Sequence, residues 1–124
     1  MSKKEFIEKW LHVFVPSMSN KIYKEIIEKQ YIWHAFSFEI IEKEKYLVGN
    51  EARTAYDLCD KTNAIVFQLW DSKDSIKIMN EQFDNSKKLD YLPETYIVAC
   101  DFTWTYISTH ENDCQRLGPY FMKL

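Results

Sequence analysis

A chain that alternates large aromatic side chains with small polar or β-branched ones over ten residues has few choices besides an extended strand, and residues Asp101 to Phe121, DFTWTYISTHENDCQRLGPYF, begin with such a run. Phe102, Trp104, Tyr106, Ser108 and His110 fall on one side of an extended backbone, with Thr103, Thr105, Ile107, Thr109 and Glu111 on the other. The first set predicts a core-seeking aromatic face. A polar turn from Asn112 to Arg116 follows, and Gly118, Pro119, Tyr120 and Phe121 resume the apolar pattern. The loop between carries His110, Glu111, Asp113 and Cys114, where titratable groups crowd together beside rigid structure.

The remainder reads as support for that stretch. Ser2 with Glu5 three residues on is a capping box, so a helix is expected from the second residue, with Phe6, Ile7, Trp10, Leu11 and Phe14 on one face and Pro16 as its stop. Ser17 or Ser19 caps a second helix with the stripe Ile22, Tyr23, Ile26 and Ile27. YIWHAFSF, residues 31–38, predicts a buried strand on which His34 shares a face with Ile32, Phe36 and Phe38. Residues 40–48 read as loop. Asn50 is expected to cap a helix whose stripe is Ala52, Ala55, Tyr56 and Cys59. Ala64 to Trp70 is apolar on both faces and reads as a central strand covered on both sides. Residues 71–88 fit a helix through Ile76, Met79 and Phe83, or a short strand through Ile76 and Ile78; the helix is favoured. Thr95 to Ala99 is expected to pair antiparallel with the run 103–110 through a turn near Cys100 and Asp101.

Together these predict one α+β domain over 1–124, a mainly antiparallel sheet of about four to five strands drawn from 31–38, 64–70, 95–100, 102–110 and 118–122. The two N-terminal helices and at least one later helix are expected against one side of it. With 46% hydrophobic residues and 16% aromatics, a chain of this length has enough apolar surface for its own core.

Charge and cysteine usage narrow the partners. The net charge is −3 and acidic and basic residues interleave, which argues against nucleic acid or an anionic membrane as partner. Three cysteines, Cys59, Cys100 and Cys114, without CxxC spacing point to a reducing compartment and no disulfide framework. No apolar run is long enough for a signal peptide or membrane span, so a cytoplasmic bacterial-type protein is expected.

The C-terminal motifs carry a resemblance. WTYISTHE, Trp104 to Glu111, followed by GPYF, Gly118 to Phe121, resembles the signature of a small domain-of-unknown-function family of Bacillus-type bacterial proteins, and WHAFS (33–37) with GNEARTAYD (49–57) resembles its other shared segments. The resemblance spans most of the chain from about residue 31. It implies a cytosolic domain and no particular mechanism.

Three site chemistries are open to these residues. A zinc site from His110, Glu111 and Cys114, with His34 and Asp101, lacks the paired short spacings of structural zinc, and His110 and Glu111 as strand neighbours point to opposite faces. No metal and no cofactor are therefore assigned. Acid–base chemistry needs His110 beside a second group such as His34, and a Cys114 nucleophile sits in the wrong field near Glu111. A binding surface from Trp33, His34, Trp104, Tyr106, His110, Glu111, Arg116 and Tyr120 uses the residue types that capture another protein or a small ligand. The expected function is a non-catalytic interaction or accessory, immunity-like module; the alternative is a small enzyme or ligand-binding protein with a pocket at His110, Glu111 and His34, and whether the chain is an enzyme stays open. Oligomeric state is not legible in the sequence.

Overall fold

The helix α1, Lys3–Phe14, starts where the capping box requires: Glu5 N–H donates to Ser2 Oγ at 3.1 Å and Ser2 N–H to the Glu5 carboxylate at 3.3 Å. The computed structural model describes residues 2–16, 19–29, 34–37, 41–68, 76–92, 94–109 and 118–124. Phe6, Ile7, Trp10, Leu11 and Phe14 are all buried, as their spacing predicts. The second helix, α2 (Asn20–Lys29), follows Ser19, whose Oγ accepts from Ile22 N–H at 3.4 Å.

Among the described residues the sheet is antiparallel and has six strands: β1 (Leu47–Val48), β2 (Ile65–Gln68), β3 (Lys77–Ile78), β4 (Thr95–Val98), β5 (Trp104–Ser108) and β6 (Tyr120–Lys123), in the spatial order β1-β6-β5-β4-β2-β3. The expected β4–β5 hairpin is present, with Ile97 opposite Tyr106 and Val98 opposite Thr105. Its connection, residues 99–103, is closed by Phe102 N–H to Ala99 C=O (2.8 Å) and by Asp101 Oδ1, which accepts from the Thr103 amide and hydroxyl.

That turn corrects one detail of the aromatic alternation. Phe102 has φ 58°, a region sparsely used by residues with a Cβ, and the local reversal puts its ring on the opposite sheet face from Trp104 and Tyr106. Phe102 packs with Phe6 at 6.2 Å, and the Lys9 ammonium lies 4.5 Å from its ring centroid.

Helices cover both faces of the sheet, where one was expected. Phe67, Tyr96, Val98, Ile107, Tyr120 and Met122 meet α1, whereas Val66, Ile97, Trp104, Tyr106 and Phe121 meet α4 (Asn50–Leu58) and Leu89 of α5 (Ser86–Leu89). Every residue of β4 and β5 is therefore buried, and period-2 alternation here sorts side chains between two cores.

Two further expectations change. Within 31–38, residues His34–Ser37 form a helical turn, α3, and the rest lies outside the described residues. A short apolar run cannot by periodicity alone be told from a buried helical turn; here Phe36 stacks on Tyr120 at 4.6 Å and plugs the core, while Leu47 and Val48 take the position beside β6. Of the stretch favoured as helix over 71–88, residues 71–75 lie outside the described residues, and 76–88 instead contributes β3, then a turn in which Asn80 Oδ1 accepts from Gln82 N–H (2.8 Å), and Asn85 caps α5 through Lys88 N–H (3.0 Å). Asparagine side chains that bond their own backbone outcompete the helix there.

At α4 the cap is Gly49, not Asn50. Gly49 has φ 67° and ψ −135°, a conformation open essentially to glycine alone, and its N–H donates to Pro119 C=O at 3.0 Å, tying the helix start to β6. Asn50 instead accepts from Arg53 Nη1 at 2.9 Å.

Candidate functional site

The residues proposed from sequence as a binding surface divide in two. Trp104, Tyr106 and Tyr120 are core residues, 6%, 0% and 1% exposed, so the three form no exposed aromatic patch, and of them only Trp104 lines a groove. The physical reason is the second helical layer: a strand end that would be wet under a one-sided sheet is covered when helices lie on both faces. Trp33, His110, Glu111, Arg116 and Cys114 lie outside the described residues, and of His34 only its backbone, in α3, is described. The expected convergence of His34 with His110 and Glu111 lies there too.

A depression does open on β5, but at the end of the strand opposite to His110. Trp104 begins β5 and Ser108 closes it, a span of about 13 Å at strand rise. Around Trp104 the C-terminal end of α4, the β4–β5 turn and the tail of β6 enclose a groove of about 540 Å³ lined by Ala55, Leu58, Cys59, Asp60, Thr103, Trp104, Phe121 and Lys123. Its floor is aromatic: Trp104 stacks on Phe121 at 5.8 Å and meets Tyr56 edge-on at 6.0 Å. Two shallower depressions adjoin it, one of about 420 Å³ over Leu47, Asn50, Glu51, Thr54 and Ala55, and one of about 290 Å³ over Glu44, Lys45, Tyr46, Leu47, Phe121 and Lys123. Shared residues make the three one continuous surface: Ala55 and Leu47 join them across α4, Phe121 and Lys123 along β6.

The local chemistry of the groove follows from how α4 ends. Lys61 Nζ donates to the carbonyls of Asp57 (3.3 Å) and Cys59 (3.2 Å), placing a cation where the helix dipole is negative, and lies 4.7 Å from the Tyr56 ring centroid. Cys59 Sγ donates to Tyr56 C=O at 3.1 Å. Burial pushes the Cys59 thiol up, only partly opposed by Lys61, so the sulfur is a protonated, half-buried packing group. Alkylation of Cys59 at pH 8 is accordingly expected to be at least about tenfold slower than that of a free model thiol, read by mass spectrometry of tryptic peptides; an equal rate would show a thiolate at the groove. Asp60 is held below the usual carboxylate range by the Thr62 hydroxyl and amide, which donate to its Oδ1 at 2.6 and 2.9 Å. Lys123, at the other wall, supplies the opposite charge.

Behind the groove a polar set anchors α5 to α4. Arg53 Nε donates to Asp90 at 3.0 Å, and Asp57 accepts from the Ser86 amide and hydroxyl, both at 2.8 Å. Among the described residues no three His, Cys, Asp or Glu side chains gather in a way that would hold a metal ion, and no helix is long and apolar enough to cross a membrane.

The residues that sequence reasoning passed over are Leu58, Leu47, Asp60, Lys45 and Lys123. One signal was present: Leu58 falls off the stripe formed by Ala52, Ala55, Tyr56 and Cys59, an apolar side chain on the solvent side of α4, and it is 81% exposed. The charged rim had no such signal, because lysines alternating with acids read as ordinary solvated surface.

No curated protein and no solved structure matches the chain. The model of the domain of unknown function DUF4275 matches residues 3–121, nearly the whole sequence and in keeping with the kind of family its motifs resemble, and the chain belongs to that family.

Proposed function

We propose that this DUF4275 domain is a non-catalytic interaction module, a cytosolic bacterial accessory or immunity-like protein that acts by binding another protein. The observation that carries the reading is the surface over α4 and the β1–β6 edge, where Leu58 and Leu47, 81% and 38% exposed, flank three joined depressions. Apolar side chains standing out of a shallow, charge-rimmed surface suit a macromolecular partner, which supplies its own complementary relief. Three titratable groups at that surface are engaged in holding the fold: Asp60 closes its own turn, Lys61 caps α4, and Cys59 is a protonated thiol.

Leu58→Glu tests this directly. The side chain is exposed, so the substitution should leave the melting temperature within a few degrees of wild type, yet abolish retention of a partner recovered with the wild-type protein by cross-linking in the native host. Retention that survives Leu58→Glu and is lost on His110→Ala would replace the proposal with the pocket reading at His110, Glu111 and His34.

A further inference from the structure

The geometry points to the occupant of this surface: an extended, acidic segment of the partner that adds to the sheet along the open edge of β6, beside Lys45 and Lys123. The inference rests on the interaction reading and specifies what is bound.

The open edge follows from the register. β1 pairs Val48 with Tyr120 and Leu47 with Phe121, and there the described ladder ends: Tyr46 is still extended, with its ring 5.7 Å from that of Tyr120, and before it Lys43–Lys45 form a short 3-10 helix in which Lys45 N–H donates to Glu42 C=O at 2.9 Å instead of to β6. β6 continues to Lys123. On its other side Leu124 N–H donates to Thr103 C=O at 2.8 Å. In an antiparallel ladder alternate residues face the same neighbour, so the N–H and C=O of Lys123 face away from β5, into the gap that β1 leaves. The depression of about 290 Å³ lies at that gap. Backbone groups presented beside a depression that takes a side chain are what strand addition uses: main-chain bonds hold the segment and the depression selects it.

The charge of the segment follows from the rim. Of the residues lining the depression, Lys45 and Lys123 are basic, Glu44 is acidic, and Tyr46, Leu47 and Phe121 make the apolar part. Neither lysine ammonium is engaged by a described side chain, whereas Lys61 nearby is committed to the carbonyls of α4. An apolar side chain over Phe121 and Leu47, next to an Asp or Glu reaching Lys123 and Lys45, satisfies both features. A basic segment would set its charge against two lysines across a short gap.

Selection of short randomised peptides displayed on phage against the wild-type protein, followed by titration of the enriched peptide carrying a fluorescent label, tests the inference. The expected consensus has an acidic residue adjacent to Leu, Ile, Val or Phe. Lys123→Ala is expected to weaken binding about threefold and Lys123→Glu about tenfold, the scale of rim charges. Lys123→Pro separates charge from backbone: it removes an N–H that no described strand uses, so the fold is kept, but it blocks the edge and should weaken binding at least about tenfold beyond Lys123→Ala. Equal binding by the Ala and Pro variants, or a consensus indifferent to charge at positions 45 and 123, overturns the inference. A host partner lost on Leu58→Glu but unaffected by any Lys123 substitution overturns it too, while leaving the interaction module standing; the absence of both a selectable peptide and a Leu58-dependent partner removes the two together.

Discussion

Trp10→Ala is expected to lower the free energy of unfolding by about 3–5 kcal/mol, the largest loss from any one surface of α1. Trp10 is fully buried and sits where helix, sheet and the α3 turn meet, 5.0 Å from Phe14 and 6.0 Å from Phe36 between ring centroids. Its indole N–H donates to Thr105 Oγ1 at 2.9 Å, and that hydroxyl in turn donates to Ile97 C=O at 2.8 Å, so one side chain couples α1 to β5 and β4. Alanine leaves a cavity that the flanking aromatics fill poorly, because each is itself held by other rings. Trp10→Phe keeps most of the volume and loses the hydrogen bond, and about 1–2 kcal/mol is expected. Urea unfolding followed by circular dichroism measures both; a cost below about 1 kcal/mol for Trp10→Ala would contradict the central place given to this residue.

The second expectation is a difference in sign between two stacked tyrosines. Tyr56 and Tyr106 lie face to face, 4.2 Å between centroids, both fully buried. Tyr56 Oη donates to Phe83 C=O, whereas Tyr106 Oη is buried without a hydrogen-bond partner among the described residues. Tyr56→Phe should therefore destabilise by about 1–3 kcal/mol by orphaning a buried carbonyl, and Tyr106→Phe should stabilise by about 1 kcal/mol by removing an unsatisfied hydroxyl. Matching losses in both variants would show that Tyr106 has a bound water or another partner.

The same pair sets an alkaline limit. Burial holds both phenols far above the usual tyrosine range, with Cys59 adding to the effect at Tyr56, and Asp90 adding to it while Arg53 opposes it at Tyr106. Both stay neutral in the folded state. Above about pH 10 the unfolded chain ionises these phenols and the folded chain does not, so the unfolded state binds fewer protons and stability falls as pH rises. Their contribution is complete below that pH, and Tyr106→Phe should shallow the decline between pH 10 and 12 in urea midpoints.

Much of the scaffold was legible from spacing and caps. The Ser2–Glu5 box, the stripes of α1 and α4, the doubly covered β2 and the β4–β5 hairpin were all written locally, in side-chain period and turn residues. The misreadings share one cause. YIWHAFSF is aromatic enough for a strand, but a four-residue apolar core looks the same to period analysis whether it pairs with a sheet or plugs beneath it, and Phe36 does the latter. Around Asn80 and Asn85 the turn chemistry was in the sequence, but the apolar spacing of Ile76, Met79 and Phe83 spoke for helix; Phe83 is buried all the same, as the acceptor of Tyr56.

The site was less legible than the scaffold. Trp104, Tyr106 and Tyr120 have the residue types of a binding surface, but whether an aromatic side chain meets solvent depends on what packs across from it, and α1 and α4 lie on opposite faces. The groove beside Trp104 forms where the end of α4, the β4–β5 turn and the tail of β6, far apart in the chain, come together.

By itself the sequence determined the α+β class, the capped start of α1, the hairpin and the membership of the aromatic stretch in the sheet, because each depends on neighbours within a few positions. Tertiary structure alone decided that the sheet has helices on both faces, that the side chains of β5 are divided between two cores, and that the accessible surface lies at the Trp104 end with Leu58 and Lys123 on its rim. Those outcomes depend on which distant elements compete for the same apolar area, a comparison that no local pattern contains.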